Sequence, residues 1–183
     1  RHRADIERAY RKAIGEATQE IVIANAYFLP GRKLRRSLTH AAQRGVRVRL
    51  LLQGRYEYFM QYHAARPVYR QMLDSGVEIF EYTQSFLHAK VAVIDAHHER
   101  PWATVGSSNL DPFSLLLARE ANVVVADGHF AKRLHEALTQ AIQHDSLRIM
   151  PQTLKERSQF LRALDWIAFG LMRFAIWITG NRY

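Results

Sequence analysis

Apolar positions along the chain alternate between helical spacing and short β-branched runs, and that alternation predicts an α/β domain. Ile6, Ala9, Tyr10, Ala13, Ile14 and Ala17 recur at three- and four-residue steps with Arg and Lys between them, so Asp5 to Ala17 reads as a helix. Ile21-Val22-Ile23 reads as a buried strand, closed off by Pro30-Gly31. Leu34 to Arg44 is helical again, Gly45 stops it, and Val46 to Leu52 is a second strand. Strand, helix and strand in that order imply a right-handed crossover between parallel neighbours. The alternation then repeats. A helix ends over Tyr69 to Ser75 at Gly76, and Val77 to Phe80 is a short strand. The apolar runs LHAKVAVID and WATVG form a hairpin, EANVVVAD holds another strand, and His129 to Gln143 is an amphipathic helix. The expected fold is α/β, with a mixed, largely parallel sheet sandwiched by helices.

The pattern changes in the last thirty residues. From Phe160 to Ile178 only Arg162, Asp165 and Arg173 are charged, and on a helical wheel they share one narrow sector with Ser158. Three charges and a central Gly170 argue against a membrane-spanning helix. A helix lying in the membrane interface, anchored by Trp166 and Trp177, fits better, with packing on a missing part of the same protein as the alternative. The expected organisation is therefore an α/β lobe over residues 1–150 and a membrane-associating apolar tail over 151–183.

Composition narrows the partners. The chain has 183 residues, enough for one domain with a sizeable core. Lys and Arg outnumber Asp and Glu by 26 to 17, a net charge of +9 that favours polyanions, either nucleic acid or anionic lipid. There is no cysteine, which excludes disulfides and thiolate metal sites. The first residues carry no signal-peptide core and no initiator Met, so the chain reads as a piece of a longer protein.

The candidate chemistry sits between Phe86 and Asn109. His88 and Lys90 stand two residues apart on an extended run, so both project from one face of it. An imidazole beside an ammonium group suits an anion between them, and Ser107 and Asn109, arriving at a neighbouring strand end, add neutral donors. Phosphate fits this set better than a metal or a carbonyl. Asp111-Pro112 reads as a helix cap and first helical position, which would set a helix N-terminus beside the serine and asparagine. His97, His98 and Glu99 read as a solvated hairpin tip rather than a metal site. Tyr56, Tyr58, Phe59, Met60 and Tyr62 crowd the stretch after the second strand, where they either shape the mouth of the site or pack as ordinary aromatics.

In order, His88, Lys90, Asp95, Gly106, Ser107 and Asn109 resemble the HKD motif, His-x-Lys-x4-Asp followed by Gly-Ser-x-Asn, of the phospholipase D superfamily. Ten residues separate Asp95 from Gly106, where the family has about six, which is read as a longer turn in AHHERPW. IVIANAYFLPGRKL, RGVRVRLLLQG and EANVVV extend the resemblance to the C-terminal half of bacterial cardiolipin synthases of the phospholipase D type. That likeness implies a phosphatidyl transfer, in which His88 takes the phosphoryl group covalently and Lys90, Ser107 and Asn109 hold its oxygens. It also implies that Glu120 orients His88 by a hydrogen bond to the far ring nitrogen. Neither a cofactor nor a metal is implied. The implied partners are an anionic phospholipid, a membrane surface and a second HKD lobe, supplied by a missing N-terminal half or by a second copy. The implied location is peripheral, on the cytoplasmic face of a bacterial inner membrane. Nucleic acid is not the expected substrate, and the alternative is a metal-independent, dimeric phosphodiesterase or nuclease.

Overall fold

The computed structural model describes residues 5–55, 59–116 and 118–178. Tyr56 and Tyr58, counted above among the aromatics near the site, lie outside the described residues. In chain order the elements are α1 (Asp5–Glu16), β1 (Glu20–Asn25), α2 (Arg32–Gln43), β2 (Arg47–Gln53), α3 (Phe59–Leu73), β3 (Glu78–Tyr82), β4 (Lys90–Ile94) and β5 (Trp102–Gly106). They continue with α4 (Pro112–Leu116), β6 (Asn122–Val125), α5 (Gly128–His144), β7 (Ser146–Ile149), α6 (Pro151–Lys155) and α7 (Gln159–Ile178).

Seven strands form one sheet in the order β6-β5-β4-β1-β2-β3-β7. It is mixed, as expected, but not largely parallel. Only β1 with β2 and β2 with β3 run parallel, while the other four pairings are antiparallel. The two crossovers carry α2 and α3, as parallel pairs require, whereas β4, β5 and β6 form a meander that joins the free side of β1. Gly45 and Gly76 end their helices with φ of 92° and 89°, a left-handed conformation that glycine adopts without a Cβ penalty.

Helices cover both faces. On one, Tyr10, Ile14, Leu34, Leu38, Val68 and Met72 from α1, α2 and α3 pack on Ile21, Ile23, Leu50, Leu52, Ala92 and Ile94. On the other, Ala131, Leu138 and Ile142 of α5 pack on Val22, Ala24, Leu51, Phe80, Val93 and Ala103. Burying one such Leu or Ile stabilises the fold by roughly 1.5–3 kcal/mol. Both sides of the inner strands are thus apolar, which explains their unbroken runs.

The C-terminal segment is docked, not trailing. β7 pairs with β3, and Leu154 of α6 is buried in the larger core. Ala168 and Met172 of α7 pack against Ala64 of α3. Asp165, which the helical wheel groups with Arg162 and Arg173, is buried on this side and accepts from Arg157, with His63 Nδ1 2.5 Å from its Oδ1. Trp166, Ile167, Leu171, Phe174 and Trp177 are left exposed. No described helix is long and apolar enough to cross a membrane.

Candidate active site

Four chain segments meet at one end of the sheet. The β4–β5 ladder runs out at Val91↔Val105, so Lys90 and Gly106 lie side by side just beyond it. Asn25, the last residue of β1, is in register with Lys90, and Asn122, the first of β6, with Gly106. This is also the carboxyl end of the parallel strands, where open α/β sheets bind ligands.

His88 precedes β4, but the extended alternation continues through it. Leu87, Ala89, Val91 and Val93 pack toward α5, while Ala92 and Ile94 pack on the opposite side. His88 and Lys90 therefore belong to one face, as the spacing predicts. The backbone there is held by Ala26 N–H donating to Ala89 O at 3.0 Å. His88 is exposed, and its ring has no hydrogen-bond partner among the described residues. Lys90 is buried, and its Nζ donates to the carbonyl oxygen of His88 at 3.0 Å. Burial lowers the pKa of this ammonium, and the nearby Glu120 carboxylate partly offsets that.

Gly106 is a glycine for a local reason. A Cβ there would collide with the Asn122 amide and come within 2.5 Å of the Ala121 carbonyl oxygen. That close approach lets Ser107 N–H donate to Ala121 O at 3.0 Å, and it brings the Ser107 hydroxyl onto the Glu120 carboxylate. Glu120 thus meets Ser107 and not, as expected, the far nitrogen of His88. It leads into β6, the partner of β5, so its nearest neighbour is the end of β5. Asn109 Oδ1 accepts from Tyr27 N–H at 3.4 Å, which sets that amide at the end of β1.

Asp95 is not part of this cluster. It follows β4 at the far end from Lys90, roughly 16 Å away for five residues of strand. Its carboxylate accepts from the backbone N–H groups of Thr18, Gln19 and Glu20 and from the Thr18 hydroxyl, at 2.8–2.9 Å. Burial would raise its pKa, but these donors outweigh burial and hold it below the usual carboxylate value. With φ of 50° at the hairpin turn, Asp95 pins the start of β1 to the end of β4. Its part is architectural. The AHHERPW stretch is indeed a long turn, with His97, His98 and Glu99 exposed.

The start of α4 is capped as expected, but the cap itself takes up the free N–H groups. Asp111 caps it by accepting from Phe113 and Ser114 N–H at 2.8 and 3.1 Å, so those groups face a carboxylate instead of an incoming anion. Among the described residues no group of three His, Asp or Glu is placed to hold a metal ion.

One residue at the site escaped the motif. Asn25 is fully buried opposite Lys90, and its Oδ1 accepts from Leu110 N–H at 3.1 Å, tying the Ser107–Asn109 turn to β1. A polar residue closing the apolar run Ile21 to Ala24 was the available signal.

A strand-borne histidine and lysine beside a Gly-Ser-x-Asn turn at one end of a mixed sheet define a lobe of the phospholipase D type. Residues 10–142 match the family model described as cardiolipin synthase, PLD-like domain, and the chain belongs to that family. It is 42% identical to cardiolipin synthase B of Escherichia coli over 94% of its own length and 41% of the relative's. The chain thus spans about two fifths of the curated relatives it matches. Among solved structures, a phosphatidylserine synthase of Haemophilus influenzae has a TM-score of 0.72 at 14% identity, covering 95% of this chain and 44% of that one. A phospholipase D family member, Nuc, from Salmonella typhimurium has a TM-score of 0.65 at 20% identity, covering 79% and 90%.

Proposed function

We propose that this chain is one lobe of a phosphatidyltransferase that makes cardiolipin from two phosphatidylglycerol molecules. The observation that carries the reading is the exposed His88 ring beside a buried, cationic Lys90, faced by Ser107 and Asn109. The 42% identity to a cardiolipin synthase over nearly the whole chain supports the lipid substrate.

In the proposed reaction a ring nitrogen of His88 attacks the phosphodiester phosphorus. A P–N bond forms, the P–O bond to the glycerol head group breaks, and a phosphatidyl-histidine results. Lys90, Asn109 and the Ser107 hydroxyl stabilise the non-bridging oxygens as charge builds on them. The departing alkoxide takes a proton from a second histidine, which then accepts the proton of the incoming lipid hydroxyl as that oxygen bonds phosphorus and the P–N bond to His88 breaks. None of the eight histidines besides His88 has a lysine two positions on. The second histidine therefore comes from another HKD lobe, most simply the remainder of a two-lobed protein of the relatives' length. No step calls on a cofactor.

The exposed apolar side of α7, with Trp166 and Trp177 more than half exposed, would rest in the interface of an anionic bilayer and bring the site to its lipid. The corresponding location is peripheral, at a bacterial inner membrane and on its cytoplasmic face.

The test is to incubate the complete protein with phosphatidylglycerol vesicles and separate the lipids. Cardiolipin and free glycerol in equal amounts are expected. No lipid turnover together with metal-independent cleavage of DNA would replace this reading with the nuclease alternative.

A further inference from the structure

Next to the phosphate-holding cluster lies a pocket that none of the HKD residues lines. It opens where that cluster ends. Ala26 and Tyr27 are on its wall, and their backbone N–H groups bond to Ala89 O and Asn109 Oδ1. Its other side is α3, which contributes Gln61 and Arg66, with Glu81 from β3.

Two features define what this pocket would hold. The first is charge. Arg55 and Arg66 are balanced by Glu81 and Asp111, and Arg66 Nη1 lies 2.8 Å from Glu81 Oε1. Unlike the Lys90 cluster beside it, this wall offers no surplus for an anion. The second is unmet hydrogen bonding. Gln61 Oε1, an acceptor, and Arg66 Nε, a donor, are both buried with no partner among the described residues. Arg66 is itself 7% exposed, and its guanidinium carbon lies 4.1 Å and 5.2 Å from the ring centroids of Tyr62 and Tyr69. A phosphate only accepts and a metal ion only binds acceptors, so neither satisfies both atoms. A hydroxyl group donates and accepts. Buried polar atoms left unpaired discriminate strongly in favour of the group that pairs them.

We infer that this pocket binds the neutral polyol portion of the substrate, the hydroxyl-bearing alcohol that leaves or accepts the phosphatidyl group, through Gln61 and Arg66. This rests on the phosphatidyl-transfer reading above. It makes Gln61 a specificity residue, distinct from the phosphate-holding set.

The experiment uses the complete protein on phosphatidylglycerol vesicles with two water-soluble acceptors. Labelled glycerol reports exchange into phosphatidylglycerol, and ethanol, with one hydroxyl, reports phosphatidylethanol. Gln61→Leu is expected to lower the glycerol-over-ethanol selectivity ratio about fivefold, the size of one lost neutral hydrogen bond. Gln61→Glu, which keeps an acceptor, is expected to restore most of it, which a merely structural role would not do. A ratio unchanged in Gln61→Leu, or equally low in both variants, overturns the pocket assignment while leaving the transferase reading intact. Formation of neither product by the unaltered protein overturns that reading, and this inference with it.

Discussion

Lys90 Nζ donates to the main-chain oxygen of His88, so the ammonium group is tied to the backbone that carries the proposed nucleophile. The lysine is preset beside the imidazole rather than free to range over the surface. Its charge depends on its surroundings, because burial disfavours the ammonium form and Glu120 favours it.

A pH profile follows from that balance. Lys90 has a lowered pKa, so activity that needs its charge declines at lower pH on the alkaline side than for a solvated lysine. Glu120→Gln removes the charge that raises this pKa. The alkaline limb of the transfer rate is expected to move to still lower pH, and an upward or absent shift would contradict the coupling.

Asp95 is expected to matter for stability rather than for the chemical step. Asp95→Ala removes four hydrogen bonds to a carboxylate and is expected to cost about 2–4 kcal/mol in denaturant unfolding. The sign with pH is fixed by the depressed pKa. The stabilisation is fully present above the unfolded value of 3.8 and is lost as pH falls below it, through the folded value. The variant should therefore lose less stability than the unaltered protein over that acid range.

The buried Asp165 holds α7 on α3 through His63 and Arg157. Asp165→Ala leaves those partners without their carboxylate and is expected to weaken the attachment by about 3–5 kcal/mol. Hydrogen exchange across residues 159–178 checks this. Faster exchange confined to α7 is the expected result, with the strands unaffected.

The outward side of α7 is tested separately. Replacing Trp166 and Trp177 with Ser is expected to weaken binding to anionic vesicles about tenfold or more. Co-sedimentation measures it, and unchanged binding would assign this apolar face to another surface.

Much of this was legible in the residue pattern. Periodicity placed α1, α2, α5 and α7 and the strands from β1 to β6, because each has a helical stripe or a β-branched run. β7 and α6 were not legible, since Ser146 to Ile149 alternates over only four residues and α6 has a single buried side chain, Leu154. The parallel β1–β2 crossover and the β4–β5 hairpin were legible, but the antiparallel joining of β4 to β1 was not, because nothing in LHAKVAVID states which side of β1 it joins. At the site, the order of the HKD residues grouped His88, Lys90, Ser107 and Asn109, and the sheet register sets them at neighbouring strand ends. The same order put Asp95 among them, although five residues of strand carry it to the opposite end. The helical wheel grouped Asp165 with Arg162 and Arg173, but a wheel does not say which way a cluster faces, so the burial of Asp165 was not legible.

The central claim is that His88 is the attacking or proton-transferring imidazole of this lobe. The direct measurement is cardiolipin formation by the complete protein carrying His88→Ala, alongside its thermal unfolding. His88 is exposed and its ring bonds to nothing described, so the variant should unfold at an unchanged temperature and make no cardiolipin. A folded variant that still makes cardiolipin would contradict the account.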